Sequence, residues 1–120
     1  MLEILKDMPD NIVAVRASGQ ISGKDYEDVL IPAVETSLKR HGKVRVLYQL
    51  GQDFSGFTAE AMFDDAKLGL RHLNSFEKIA VITDVDWISR IVRFFSLMIP
   101  CPVKVFGNND ASGAKAWLIE

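Results

Sequence analysis

The chain has 120 residues, 48% apolar and 25% charged, with a net charge of −2. That is enough for one domain with a real core, too little for two, and globular rather than disordered in character. The basic residues are scattered apart from Lys39-Arg40-His41, so nothing pulls the chain toward nucleic acid, and the lone Cys101 excludes an internal disulfide or a cysteine-held zinc.

The opening "MLEILKDMPD" carries Glu3 and Asp7 and does not read as a signal peptide. No run reaches the ~18 apolar residues a membrane span needs. A reduced, cytoplasmic protein is expected, with room for peripheral contact at the inner membrane.

Leu2–Leu5 reads as a short strand, Met8–Asn11 as a turn, and Ile12–Ser18 as a second strand in an N-terminal hairpin. Val13, Val15 and Ala17 share one face of that strand; Ile12, Ala14, Arg16 and Ser18 share the other. Gly19 is expected to break it. Tyr26, Leu30, Ala33 or Val34, and Leu38 then follow helical spacing up to Gly42. Pro32 inside this pattern predicts a kink or a break near Ile31, because it cannot donate to the Asp28 carbonyl.

Lys43–Leu50 is the next strand, and Gly51–Phe57 reads as a loop. Thr58 should cap a helix whose apolar face is Ala59, Met62, Phe63, Ala66, Leu70 and Leu73. Lys78–Thr83 is apolar enough for a central parallel strand. Asp84 or Asp86 should cap a helix through Ile99, Cys101–Phe106 gives a last strand starting at Cys101, and the final residues form a helix around Ala114, Trp117 and Leu118. After the hairpin the order is a β-α alternation, which predicts right-handed crossovers and a largely parallel sheet.

Three stretches carry a resemblance: "SGQISGKDYEDVLIPAVE", "DFSGFTAEAMFDDAKLGLRHLNSFEKIAVITD" and "AKAWL". Together they resemble the SpoIIAA-like family of small bacterial proteins, which groups with STAS domains and is similar in fold to CRAL-TRIO lipid-binding domains. The resemblance implies an α/β fold: a five-stranded mixed, mostly parallel sheet with about four helices, in one domain over residues 1–120. It also implies two functions. In STAS regulators of the anti-anti-sigma type, a serine in an Asp-Ser-Ser-Gly-like loop is phosphorylated. Here the loop reads Asp53-Phe54-Ser55-Gly56, so Ser55 would be the acceptor, with Phe54 departing from the pattern. CRAL-TRIO relatives hold an apolar ligand beneath a movable helix.

The residues themselves single out "DWISRIVRFFSLMIP", Asp86–Pro100. Its apolar residues cover an arc of roughly 160°, against the ~100° that docking on a core requires. The expected site therefore comprises Trp87, Ile91, Phe94, Phe95 and Met98, with Phe54 and Phe57 from the preceding loop. Arg90 and Arg93 would face water or anionic headgroups. The partners expected are a small apolar or lipid-like ligand, an anionic membrane surface, or a second copy of the chain packed on the same helix.

No serine, cysteine or histidine stands in a nucleophile motif, and the glycines form no phosphate loop. No cofactor and no enzyme activity are expected. Asp53, Asp84, Asp86 and Asp110 should occupy loops beyond strand carboxyl ends, where helix capping accounts for most of them.

Overall fold

The computed structural model describes residues 1–120. Five strands form one sheet in chain order: β1 (Leu2–Ile4), β2 (Ile12–Ile21), β3 (Val44–Phe57), β4 (Phe76–Ile82) and β5 (Val103–Phe106). β1 pairs antiparallel with β2, and the remaining pairs are parallel. The helices are α1 (Gly23–Asp25), α2 (Ile31–His41), α3 (Ala59–Arg71), α4 (Asp86–Ser96) and α5 (Ala111–Ile119). Right-handed crossovers between strands laid down in one direction place α1 to α4 on one face of the sheet. α5, which follows the last strand, covers the other.

Strand alternation divides the core accordingly. Val13, Val15, Ala17, Val46 and Leu50 join Tyr26, Val34, Ala61, Leu68 and Ile88 under α1 to α4. Ile12, Ala14, Leu47, Ala80 and Ile82 meet Ala114 and Leu118 of α5. Lys78 and Arg45 donate to the carbonyls of Trp117 and Leu118, which satisfies the end of α5.

The first helical region changes type at Ile31, where the longer helix starts with Pro32 in its first turn, as the sequence predicts. Residues Tyr26–Leu30 form a single wide π turn, in which the Ile31 N–H reaches back to the Tyr26 carbonyl. Pro32 then falls in the first turn of α2, where no N–H is required of it. The helix ends at Gly42, whose left-handed φ of 76° and N–H bond to the Leu38 carbonyl close the last turn.

Two strand boundaries differ from expectation. Gly19 does not end β2: at φ 61° it sits in an irregularity, and pairing resumes at Gln20 and Ile21. Opposite it, Gly51–Phe57 is not a loop but the second half of β3. Gly19 faces Phe54, Gln20 faces Gly56, and Ile21 faces Phe57. The extra residues on β3 are taken up as bulges, which also turn its end. At the far edge β5 starts at Val103, so Cys101 lies half-buried ahead of the strand rather than opening it.

Candidate functional site

α4 begins beyond β4 and ends at Ser96 rather than Ile99, the chain turning over Leu97–Pro100 because Pro100 cannot continue a helix. Its cap residue is Val85, with no side-chain cap; the Val85 N–H is held by the Thr83 hydroxyl at 3.0 Å. Neither Asp84 nor Asp86 caps it as expected. Asp84 Oδ1 instead accepts from the Asn108 N–H at 3.0 Å, tying the β4 and β5 ends together. Asp110 precedes α5 without a side-chain cap bond, and Asp53 lies in β3, where its Oδ1 accepts from Arg16 at 3.0 Å.

Only Ile88 of α4 is fully buried, with Val92 partly buried beside it. Trp87, Ile91, Phe94, Phe95 and Met98 are all exposed, Phe94 and Met98 by 64% and 61%. Arg90 and Arg93 are exposed as well. Phe94 and Phe95 rest edge to face, their ring centres 5.6 Å apart. At ~100° per residue the exposed apolar side chains form one edge of the helix, beside its buried line.

α3 is capped as expected, with the Thr58 hydroxyl accepting the Ala61 N–H at 3.1 Å. The face it buries is a correction. Ala61 and Leu68 point inward, whereas Ala59, Met62, Phe63, Ala66 and Leu70 are exposed, Leu70 by 75%. The 3.6-residue stripe is real, but it looks outward. On its other side α3 meets α1: a side chain at Gly23 would collide with Glu60 and Asp64. Residues Met62, Ala66 and Leu73 lie opposite Glu60 and Asp64 around the helix, and so face α4.

Both helices run antiparallel to the strands and turn in the same sense. The residues ~100° past the buried line of α3 and ~100° before that of α4 therefore face each other. Two apolar edges thus border the groove between the helices: Met62 and Ala66 on one side, Trp87 and Ile91 on the other, with Met98 just past the end of α4. α3 and α4 make little direct contact.

The extension of β3, paired with the end of β2, adds aromatic rings to the same core. Phe54 and Phe57 pack with ring centres 5.0 Å apart, and Phe57 meets Tyr48 edge to face at 6.3 Å. All three pack on the core cluster that holds Ile88 and Val92. Of the residues expected from sequence, Phe54 packs on Phe57 in β3, and Phe94 packs on Phe95 in α4. Ser55 is exposed within β3 and not in a loop.

One polar arrangement was not anticipated. Tyr26, only 1% exposed, donates from its hydroxyl to Asp65 Oδ1 at 2.9 Å and lies 3.1 Å from the Tyr48 hydroxyl. Burial, then the Asp65 charge, raises the Tyr26 phenol well above its usual range. The Asp65 carboxyl is pushed up by desolvation and only partly offset by the Tyr26 bond, although the residue remains open to solvent. The sequence offered a faint sign of this: an acid beside the stripe of α3.

Two shallow, open concavities lie elsewhere. One of about 320 Å³ separates α2 from the hairpin and includes Ile4, Leu5, Pro32 and Ala33. Another of about 400 Å³, at the amino ends of the parallel strands, is lined by Asp10, Asn11, His41, Lys43 and Glu77. No group of three His, Cys, Asp or Glu side chains converges as metal ligands would, and no helix is long and apolar enough to cross a membrane.

A family model described as SpoIIAA-like matches residues 12–119. The fold is similar to the crystal structure of a DUF3478-family protein with a SpoIIAA-like fold from Shewanella loihica PV-4. Identity is 27%, the TM-score is 0.77, and the match covers 98% of this chain and 92% of that one. A search of curated proteins finds no match.

Proposed function

The chain belongs to the SpoIIAA-like family, and from that premise we propose that it is a non-enzymatic binding module for a small apolar or lipid-like ligand held against α4. The observation that carries this reading is the exposed apolar edge of α4, with exposed apolar side chains of α3 beside it. A domain of this size has little reason to leave Met62, Phe63, Leu70, Trp87, Phe94 and Met98 in water together. Covering them with an acyl chain gains ~25 cal/mol per Å² before ordering costs.

α4 is the element that moves to admit the ligand. It is held mainly through Ile88 and Val92, has no side-chain cap, and is followed by Pro100 and Pro102. Bending therefore falls on Asp84–Asp86, since prolines stiffen the trailing side. Arg90 and Arg93 on its exposed side suit a negatively charged surface during loading.

Hydrogen exchange tests this directly. Amides of residues 86–99 should exchange faster than those of 59–71, and slow when decanol is added below its solubility limit. Exchange as slow as in β3 and β4, unmoved by decanol, would mean α4 is a fixed core helix.

A further inference from the structure

The polar atoms beside the groove are mainly hydrogen-bond acceptors, the exposed indole N–H of Trp87 on the α4 rim being the exception. Tyr26 has one hydroxyl hydrogen and gives it to Asp65 Oδ1. The contact between the two phenols at 3.1 Å therefore takes its hydrogen from Tyr48. The chain of donation runs Tyr48 to Tyr26 to Asp65, with both phenol hydrogens spent. What remains is the Tyr48 oxygen, as acceptor, and the second oxygen of Asp65.

Asp65 also stands on the groove side of α3. It lies ~40° from the buried line toward Met62, away from the α1-facing Glu60 and Asp64. It is accessible to solvent although protein surrounds its carboxyl. No cation balances it there. Lys67 sits over the Phe63 ring at 5.5 Å, Arg71 pairs with Glu35 at 3.6 Å, and Arg90 and Arg93 occupy the outer side of α4. Asp64, on the same helix, adds negative charge nearby.

Resting on the apolar-ligand reading above, we propose that the occupant carries a hydrogen-bond-donating head, a hydroxyl or an ammonium, that binds Asp65 while its apolar chain lies between α3 and α4. A carboxylate or phosphate head brings only acceptors and charge of the wrong sign, and would be rejected. The site thus selects alcohols and amines over fatty acids.

The test compares three ligands with one chain and different heads, decylamine, decanol and decanoate, each below its micellar concentration and followed by calorimetry. Decylamine and decanol should bind at least ~10-fold more tightly than decanoate. Asp65→Asn, which keeps an acceptor for Tyr26, should bring the three within ~3-fold of one another. Asp53→Asn, on an exposed residue outside the groove, should leave the order intact and so controls for net charge. Decanoate binding as well as decanol, or a preference that survives Asp65→Asn, overturns the head-group assignment while the groove stands. If none of the three binds, the groove reading falls with it.

Discussion

The Tyr26 hydroxyl donates to Asp65 Oδ1 at 2.9 Å, joining the π turn ahead of α2 to the middle of α3. Tyr26 is almost wholly buried, so its hydroxyl has no water to fall back on. Tyr26→Phe would leave Asp65 and Tyr48 without their common partner. It should cost about 1–3 kcal/mol in urea unfolding, the usual penalty for orphaned buried polar groups. Unchanged stability would mean that water enters and replaces the hydroxyl.

Asp65 itself should behave in the opposite way. Desolvation raises its folded pKa above the ordinary value of 3.8. A raised carboxyl pKa means the folded state holds the proton more tightly, so wild type loses stability as pH climbs through that interval. Asp65→Asn should therefore melt higher than wild type at pH 7, with the gain shrinking as pH falls toward 3.8. A lower melting temperature at pH 7 would show that the ionised carboxylate stabilises the fold.

The two stripes of α3 can be told apart by mutation. Leu68→Ala removes a buried side chain and should cost about 2–5 kcal/mol. Leu70→Gln changes an exposed one and should alter stability by less than ~0.5 kcal/mol. Equal destabilisation by both would contradict the inward placement of Leu68.

Val81, 8% exposed on β4 and paired between Tyr48 and Val105, tests the sheet. Val81→Asp would bury a charge with no partner and should prevent soluble folding. A soluble variant with an unchanged melting temperature would place this strand elsewhere.

Much of the fold was legible because its signals are local. Thr58 and Gly42 mark helix ends by their own chemistry, and the alternation of Ile12–Ala17 assigns both faces of β2. The extension of β3 was not legible. Gly51, Ser55 and Gly56 have turn-forming character, and only pairing with Gly19–Ile21 holds them extended. Periodicity found a stripe on α3 but could not say which stripe is buried. The sheet accepts Ala61 and Leu68, and Met62, Phe63 and Leu70 stay outside. The wide apolar arc singled out the helix at Trp87–Ile99; the helix stops at Ser96, and Trp87, Ile91, Phe94 and Phe95 are exposed on it. The Tyr26–Tyr48–Asp65 chain joins residues 22 and 39 positions apart, and no spacing rule connects them.

Quenching of Trp87 tests the central claim most directly. With Trp117→Phe, Trp87 is the sole indole, nearly half exposed on the edge of α4 that borders the groove. Bromine on an alkyl chain quenches indole emission only on near contact. Titration with 10-bromodecanol should quench Trp87 saturably, plain decanol should shift its emission to the blue, and Met62→Glu should weaken both responses. An emission spectrum that stays that of a water-exposed indole, unquenched at saturating ligand, would contradict the claim that an apolar chain lies between α3 and α4.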